Sequence, residues 1–99
     1  MIEQAMILIM HSGNARSLEM EAIQEAKDGN IEEAKSLIKE CGEAVIEAHK
    51  VQTELIQKEA QGEKFDLSIL MIHAQDHLMT TLVVKDLANE FVEIYEKIN

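Results

Sequence analysis

Ser68-Ile69-Leu70-Met71-Ile72-His73-Ala74-Gln75-Asp76-His77-Leu78-Met79-Thr80-Thr81-Leu82-Val83 carries more apolar residues than one buried helical face needs, and holds no Gly or Pro to interrupt a helix. On a helical wheel at about 100° per residue, with His73 at zero, Leu67, Leu70, Ala74, Leu78, Thr81, Ala88 and Val92 gather near about +90°. That stripe is the expected intramolecular core. A second stripe, Ile69, Ile72, Met79, Val83, Leu87 and Ile94, centres near about −75°. A small bundle buries one face of each helix, so the surplus face predicts self-association.

Upstream, helix-stop chemistry falls at two places. At Asp28-Gly29-Asn30, Gly29 suits the end of one helix and Asn30 the cap of the next, with Glu33 completing a capping-box pair. At Gln61-Gly62-Glu63-Lys64-Phe65-Asp66, Asp66 suits the cap of a third helix. Between the stops the apolar period is helical: Leu8, Ala15, Leu18, Ala22 and Ala26, then Ala34, Leu37, Cys41, Ala44, Ala48 and Leu55. Segments of roughly 27 to 32 residues are about 40 to 48 Å long, and short connections make neighbours antiparallel. The expectation is an all-α, up-down-up three-helix bundle, a single domain over residues 1–99. The unbroken run Ala5-Met6-Ile7-Leu8-Ile9-Met10 adds apolar surface that one bundle does not bury all round.

Composition excludes several classes of function. The 99 residues hold nine Lys/Arg against nineteen Asp/Glu, a net charge of −10, with no basic cluster to meet a phosphate backbone. Nucleic acid is therefore not an expected partner. No stretch approaches the roughly 20 apolar residues of a membrane span, and Met1-Ile2-Glu3-Gln4 lacks the basic start of a signal peptide. The single cysteine, Cys41, allows neither an internal disulfide nor a multi-cysteine metal site. It lies in the apolar register of the second helix and reads as core; a cytoplasmic location without membrane insertion is expected. Gly13, Gly29, Gly42 and Gly62 are too scattered for a phosphate-binding loop, and no His-Glu-x-x-His or di-iron spacing occurs.

The polar residues of the third segment carry the chemistry. Asp76 falls at about −60°, inside the second apolar stripe, where a carboxylate needs a partner, a proton or a metal. If that stripe forms a closed symmetric interface, the copies of Asp76 converge near its axis, and hard oxygen ligands suit magnesium or calcium. His73 and His77, one turn apart, share a face beside Asp76. Such a cluster fits a metal site, or a nucleophile in which a neutral imidazole attacks phosphorus, and spacing alone does not choose. Gln52, on the apolar stripe of the second helix, is placed either to orient an imidazole or phosphoryl oxygen or to bond backbone as a core amide. His11 and His49 read as structural or surface residues. Gly13 in mid-helix suggests a close approach by another helix or a partner.

Ile9-Met10-His11-Ser12-Gly13-Asn14-Ala15-Arg16-Ser17, Ala48-His49-Lys50-Val51-Gln52-Thr53-Glu54-Leu55-Ile56-Gln57 and His73-Ala74-Gln75-Asp76-His77-Leu78-Met79-Thr80, in that order and spacing, resemble the lactose/cellobiose-type enzyme IIA of the bacterial phosphoenolpyruvate-dependent sugar phosphotransferase system. The resemblance covers almost the whole chain. It implies a cytoplasmic homotrimer of three-helix subunits that takes a phosphoryl group from the phosphocarrier HPr and passes it to a cysteine of enzyme IIB. By the same resemblance, His73 matches the phosphorylated histidine, and Asp76 matches the residue that three subunits point at a shared ion, commonly magnesium. His77 and Gln75 take supporting roles, donating to phosphoryl oxygens or orienting His73. The rival reading, from another class, is a non-enzymatic helical adaptor whose oligomer is held by a divalent ion; it predicts no transferable phosphate. The resemblance also implies that this subunit passes on phosphate without binding sugar, so that selection among lactose, cellobiose, diacetylchitobiose or another disaccharide lies in the membrane component.

Overall fold

The computed structural model describes Met1–Asn99 as three α-helices, α1 (Ile2–Lys27), α2 (Ile31–Ala60) and α3 (Ile69–Ile98), with no strand. They form the up-down-up bundle expected from the sequence, a rod of 52 × 20 × 15 Å.

Both stops work through glycine. Gly29 and Gly62 adopt positive φ (86° and 99°), a conformation costly for residues with a Cβ. At the first turn, Gly29 N–H donates to Ala26 O at 3.1 Å and Asn30 N–H to Glu25 O at 2.8 Å. At the second, Gly62 N–H donates to Glu59 O at 3.0 Å and Glu63 N–H to Lys58 O at 3.1 Å. Each is a Schellman closure, in which the chain leaving the helix satisfies its last carbonyls.

Two caps differ from expectation. The Asn30 side chain makes no cap bond; it donates to Glu25 Oε2 at 2.8 Å, drawn back toward α1 by the same turn that ties its N–H to Glu25. The capping box with Glu33 is therefore not formed. Ser68 rather than Asp66 caps α3, its Oγ accepting from Met71 N–H at 3.1 Å. Leu67 thus falls before the helix, 78% exposed, and the core position passes to Met71, with Leu70 half-buried. The first turn of α3 contains no acidic residue.

The core divides along the rod. At the end holding the α3 N-terminus, Ala5, Leu8, Ala48, Leu55, Met71, Ala74 and Leu78 pack together. At the other end Ala22, Ala26, Ala34, Leu37 and Val92 do the same. The middle cluster is smaller, Ala15, Cys41 and Val45, and buried Ser12, Glu19, Thr81 and Ala88 lie outside all three clusters. Val45, rather than the half-buried Ala44, is the inward residue of α2 there. Thr81 Oγ1 donates to Ser12 O at 3.4 Å, tying α3 to α1, while Lys35 and Glu96 pair at 2.8 Å between α2 and α3. A Cβ on Gly13 would meet nothing within 4 Å, so no helix of this chain makes the close approach its position suggested.

Leu78 has no exposed surface and lies in the larger core cluster. Leu78→Ala is expected to destabilise the chain by about 3 kcal/mol through lost burial and the cavity left behind. Thermal unfolding followed by circular dichroism checks this, with an expected fall in Tm on the order of 12 °C.

The second apolar stripe of α3 lies outside the bundle. Ile69, Ile72, Met79, Val83, Leu87 and Ile94 are 42% (Met79) to 87% (Ile69) exposed, and Met6 and Met10 of α1 are exposed as well. The surplus apolar surface read from the sequence is thus present on the folded chain. No helix is long and apolar enough to cross a membrane.

Candidate functional site

The site candidates occupy the second and third turns of α3, above the Ser68 cap. His73 is exposed and His77 half-buried. One turn apart, their rings meet edge to face, with centroids 4.5 Å apart and planes at 83°. The contact turns an edge of one imidazole toward the face of the other, limiting ring rotation while leaving His73 open to solvent.

Asp76 is also exposed, between the uncovered side chains of Ile72, Met79 and Val83. Its backbone carbonyl accepts from Thr80 Oγ1 at 2.9 Å, and that hydroxyl also reaches His77 O at 3.3 Å. The carboxylate itself stands free on the apolar face. Within one chain, no group of three or more His, Cys, Asp or Glu side chains comes together as a metal site. A single Asp76 supplies too few ligands for a hard cation, which needs six or more oxygens counting water. Copies of Asp76 brought together on the uncovered face would supply the missing carboxylates, so the residues fit a shared ion and do not fit one held by a lone chain.

Gln75 stands apart from the histidines. Two residues along a helix is a turn of about 200°, which places it on the opposite flank of α3 from His73. There its Oε1 accepts from Gln52 Nε2 of α2 at 2.7 Å, and its Nε2 lies 3.7 Å from Met71 Sδ. Gln52 Nε2 is also 4.0 Å from Met79 Sδ. Gln52 is buried and Gln75 half-buried, so this amide pair fastens α3 to α2. Gln52 therefore bonds another side-chain amide, not an imidazole and not backbone. The structure brings His73 and His77 together and sets Asp76 beside them; it does not bring Gln75 or Gln52 to the imidazoles of the same chain.

His49 lies exposed on α2 and His11 is half-buried on α1. Cys41 is buried core, as its register indicated, with its Sγ–H directed to Ala15 O at 3.3 Å and Glu19 Oε2 at 3.6 Å. Burial and the neighbouring Glu19 push this thiol up to about 12, so it is inert as a nucleophile. Ser68 and Met71 escaped the sequence reading. A serine three residues before a buried methionine lacks the partner acid that makes a cap conspicuous.

Comparison with known proteins gives these residues a context. A profile of the family described as the PTS system, lactose/cellobiose-specific IIA subunit matches residues 3–96. The lichenan-specific phosphotransferase enzyme IIA component of Bacillus subtilis is 54% identical over 91 residues, 92% of this chain and 83% of that protein. The crystal structure of the PTS cellobiose-specific enzyme IIA from Bacillus anthracis superposes with a TM-score of 0.95 at 53% identity, covering 97% of this chain and 88% of that one. The IIA(chitobiose) structure solved with HPr, from Escherichia coli, gives a TM-score of 0.83 at 42% identity, covering 97% and 93%. A match over nearly the whole chain, at these identities and with the same three-helix architecture, places this protein in the lactose/cellobiose-specific IIA family of the sugar phosphotransferase system.

Proposed function

We propose that the chain is a cytoplasmic phosphocarrier that accepts a phosphoryl group from phospho-HPr on His73 and passes it to a cysteine of enzyme IIB, for uptake of a disaccharide. The exposed imidazole of His73, packed against His77 on α3 of a chain of this family, carries the reading. The unprotonated Nε2 attacks phosphorus in line, a new N–P bond forms, and the N–P bond to the HPr imidazole breaks. In the second transfer the IIB thiolate attacks the same phosphorus and His73 leaves as neutral imidazole once protonated.

Local electrostatics favour the intermediate. Helical side chains lean toward the N-terminus, so a phosphoryl group on His73 lies over the first turn of α3, where free N–H groups carry partial positive charge. No acidic residue in that turn opposes it. His77 limits the ring's rotation and stands one turn away as a donor to phosphoryl oxygens. Gln75, by contrast, supports the site through Gln52, holding α3 in place against α2.

Asp76 is assigned to a magnesium ion shared by three subunits on the axis of a homotrimer, with the exposed α3 stripe as the subunit interface. The ion neutralises carboxylates that would otherwise repel at that seam. Asp76→Leu is expected to abolish bound divalent metal, measured by elemental analysis of the purified protein, while sedimentation shows the chains still associated. Metal content unaltered by the substitution counts against this assignment.

The phosphocarrier reading is tested by incubating the protein with phosphoenolpyruvate, enzyme I and HPr, followed by mass spectrometry and peptide mapping. One acid-labile phosphoryl group on His73, lost on adding the cognate enzyme IIB, is the expected result. No phosphorylation with several active HPr preparations overturns it.

A further inference from the structure

The middle of the bundle holds a polar group that phosphoryl transfer does not use. Glu19, on the inner face of α1, has no exposed surface. One carboxyl oxygen, Oε2, faces the Cys41 thiol of α2 at 3.6 Å; the other, Oε1, has no partner, nor has the buried Ser12 Oγ on the same face of α1. We propose that Glu19 stands in the folded chain as a neutral carboxylic acid, and that loss of its proton loosens α1 from α2 and α3 at mid-length.

An ionised carboxylate presents about four acceptor sites and, when buried, requires strong donors or a cation in contact. Here the donor is one weak thiol proton, shared with Ala15 O. The charged and titratable groups facing Glu19 are Arg16 from α1, Cys41 from α2 and Lys85 from α3. Neither cation forms an ion pair with it; the pairs in this chain are Lys35–Glu96 and Lys50–Glu47. The Lys85 stem instead runs toward Gly42, where its Cε would lie 3.5 Å from an added Cβ. Desolvation therefore dominates and raises the acid above its ordinary 4.5, with the Cys41 hydrogen bond and the two cations opposing it more weakly. The mid-section also has the smallest apolar cluster of the three, so the least apolar packing holds the helices together there.

As pH rises through 4.5 an unfolded Glu19 loses its proton while the folded one keeps it, so the unfolded state binds fewer protons and the folding equilibrium weakens as pH rises. The decline proceeds at up to about tenfold per pH unit and levels off once the folded acid itself titrates. Glu19→Gln keeps the shape and removes the proton.

The test is urea unfolding of the full chain, wild type and Glu19→Gln, at fixed protein concentration across pH 4 to 9, paired with carbon-13 NMR of the wild-type glutamate carboxyls. The histidines contribute equally to both proteins and cancel in the comparison. The expected result is a wild-type folding constant that falls relative to the variant's as pH rises, and a Glu19 carboxyl midpoint above 4.5. Parallel pH curves, or a midpoint at or below the ordinary value, would show Glu19 ionised in the folded state and overturn the proposal. If Glu19→Gln fails to fold, the wild-type carboxyl titration decides alone.

Discussion

His73→Gln is expected to fold as the wild type does and to accept no phosphoryl group from phospho-HPr. The position is exposed on α3, and glutamine is a good helix former of similar length, so the expected change in stability is within about 0.5 kcal/mol. An amide nitrogen, unlike a neutral imidazole, has no available lone pair, so transfer is expected to fall by roughly 10⁴-fold or more, below detection in the mass assay. Circular dichroism and phosphate incorporation, measured on the same preparation, separate the two effects. Retention of one phosphoryl group per chain would move the acceptor elsewhere, with His77, 4.5 Å away ring to ring, first in line for peptide mapping.

In the homotrimer proposed above, Val83→Asp is expected to disperse the assembly into folded single chains. Val83 is 60% exposed on the lone chain and lies in the uncovered stripe of α3, so a carboxylate there is solvated and costs the isolated bundle little. In a closed symmetric interface the same carboxylate is buried once per subunit, against apolar side chains and near the copies of Asp76. At about 3 kcal/mol for each unpaired buried charge, association weakens by roughly 100-fold per subunit. Sedimentation equilibrium checks this, the expected outcome being a fall to the single-chain mass of 11.2 kDa with the helical signal kept. A variant that sediments like the wild type would remove the stripe from the interface.

The fold was readable because its punctuation is glycine. Gly29 and Gly62 end helices by backbone conformation, which a sequence displays directly, and the apolar period between them locates most of the core. What escaped depended on competition between neighbours. Ser68 outcompeted Asp66 as a cap, and that choice moved Leu67 out and Met71 in. Glu19 occupies the inward register of α1, seven residues after Ser12, yet its residue type argued for the surface. In the site, helical spacing correctly joined His73 to His77 and set Asp76 on the uncovered face. Gln75 shares their motif but not their flank, because adjacency in sequence is not adjacency around a helix.

The two Schellman turns also bear on how the chain reaches its structure. Each closes a hairpin between helices consecutive in sequence, through connectors of only three residues (28–30) and eight (61–68). Little loop entropy is lost before α1 meets α2 or α2 meets α3, so either hairpin is an inexpensive nucleus, and low contact order favours folding within microseconds to milliseconds. With no proline and a single cysteine, the chain has neither prolyl isomerisation nor internal disulfide formation to slow its folding. The single chain is therefore expected to fold on its own, so that the trimer proposed above assembles from folded subunits in a separate, concentration-dependent stage.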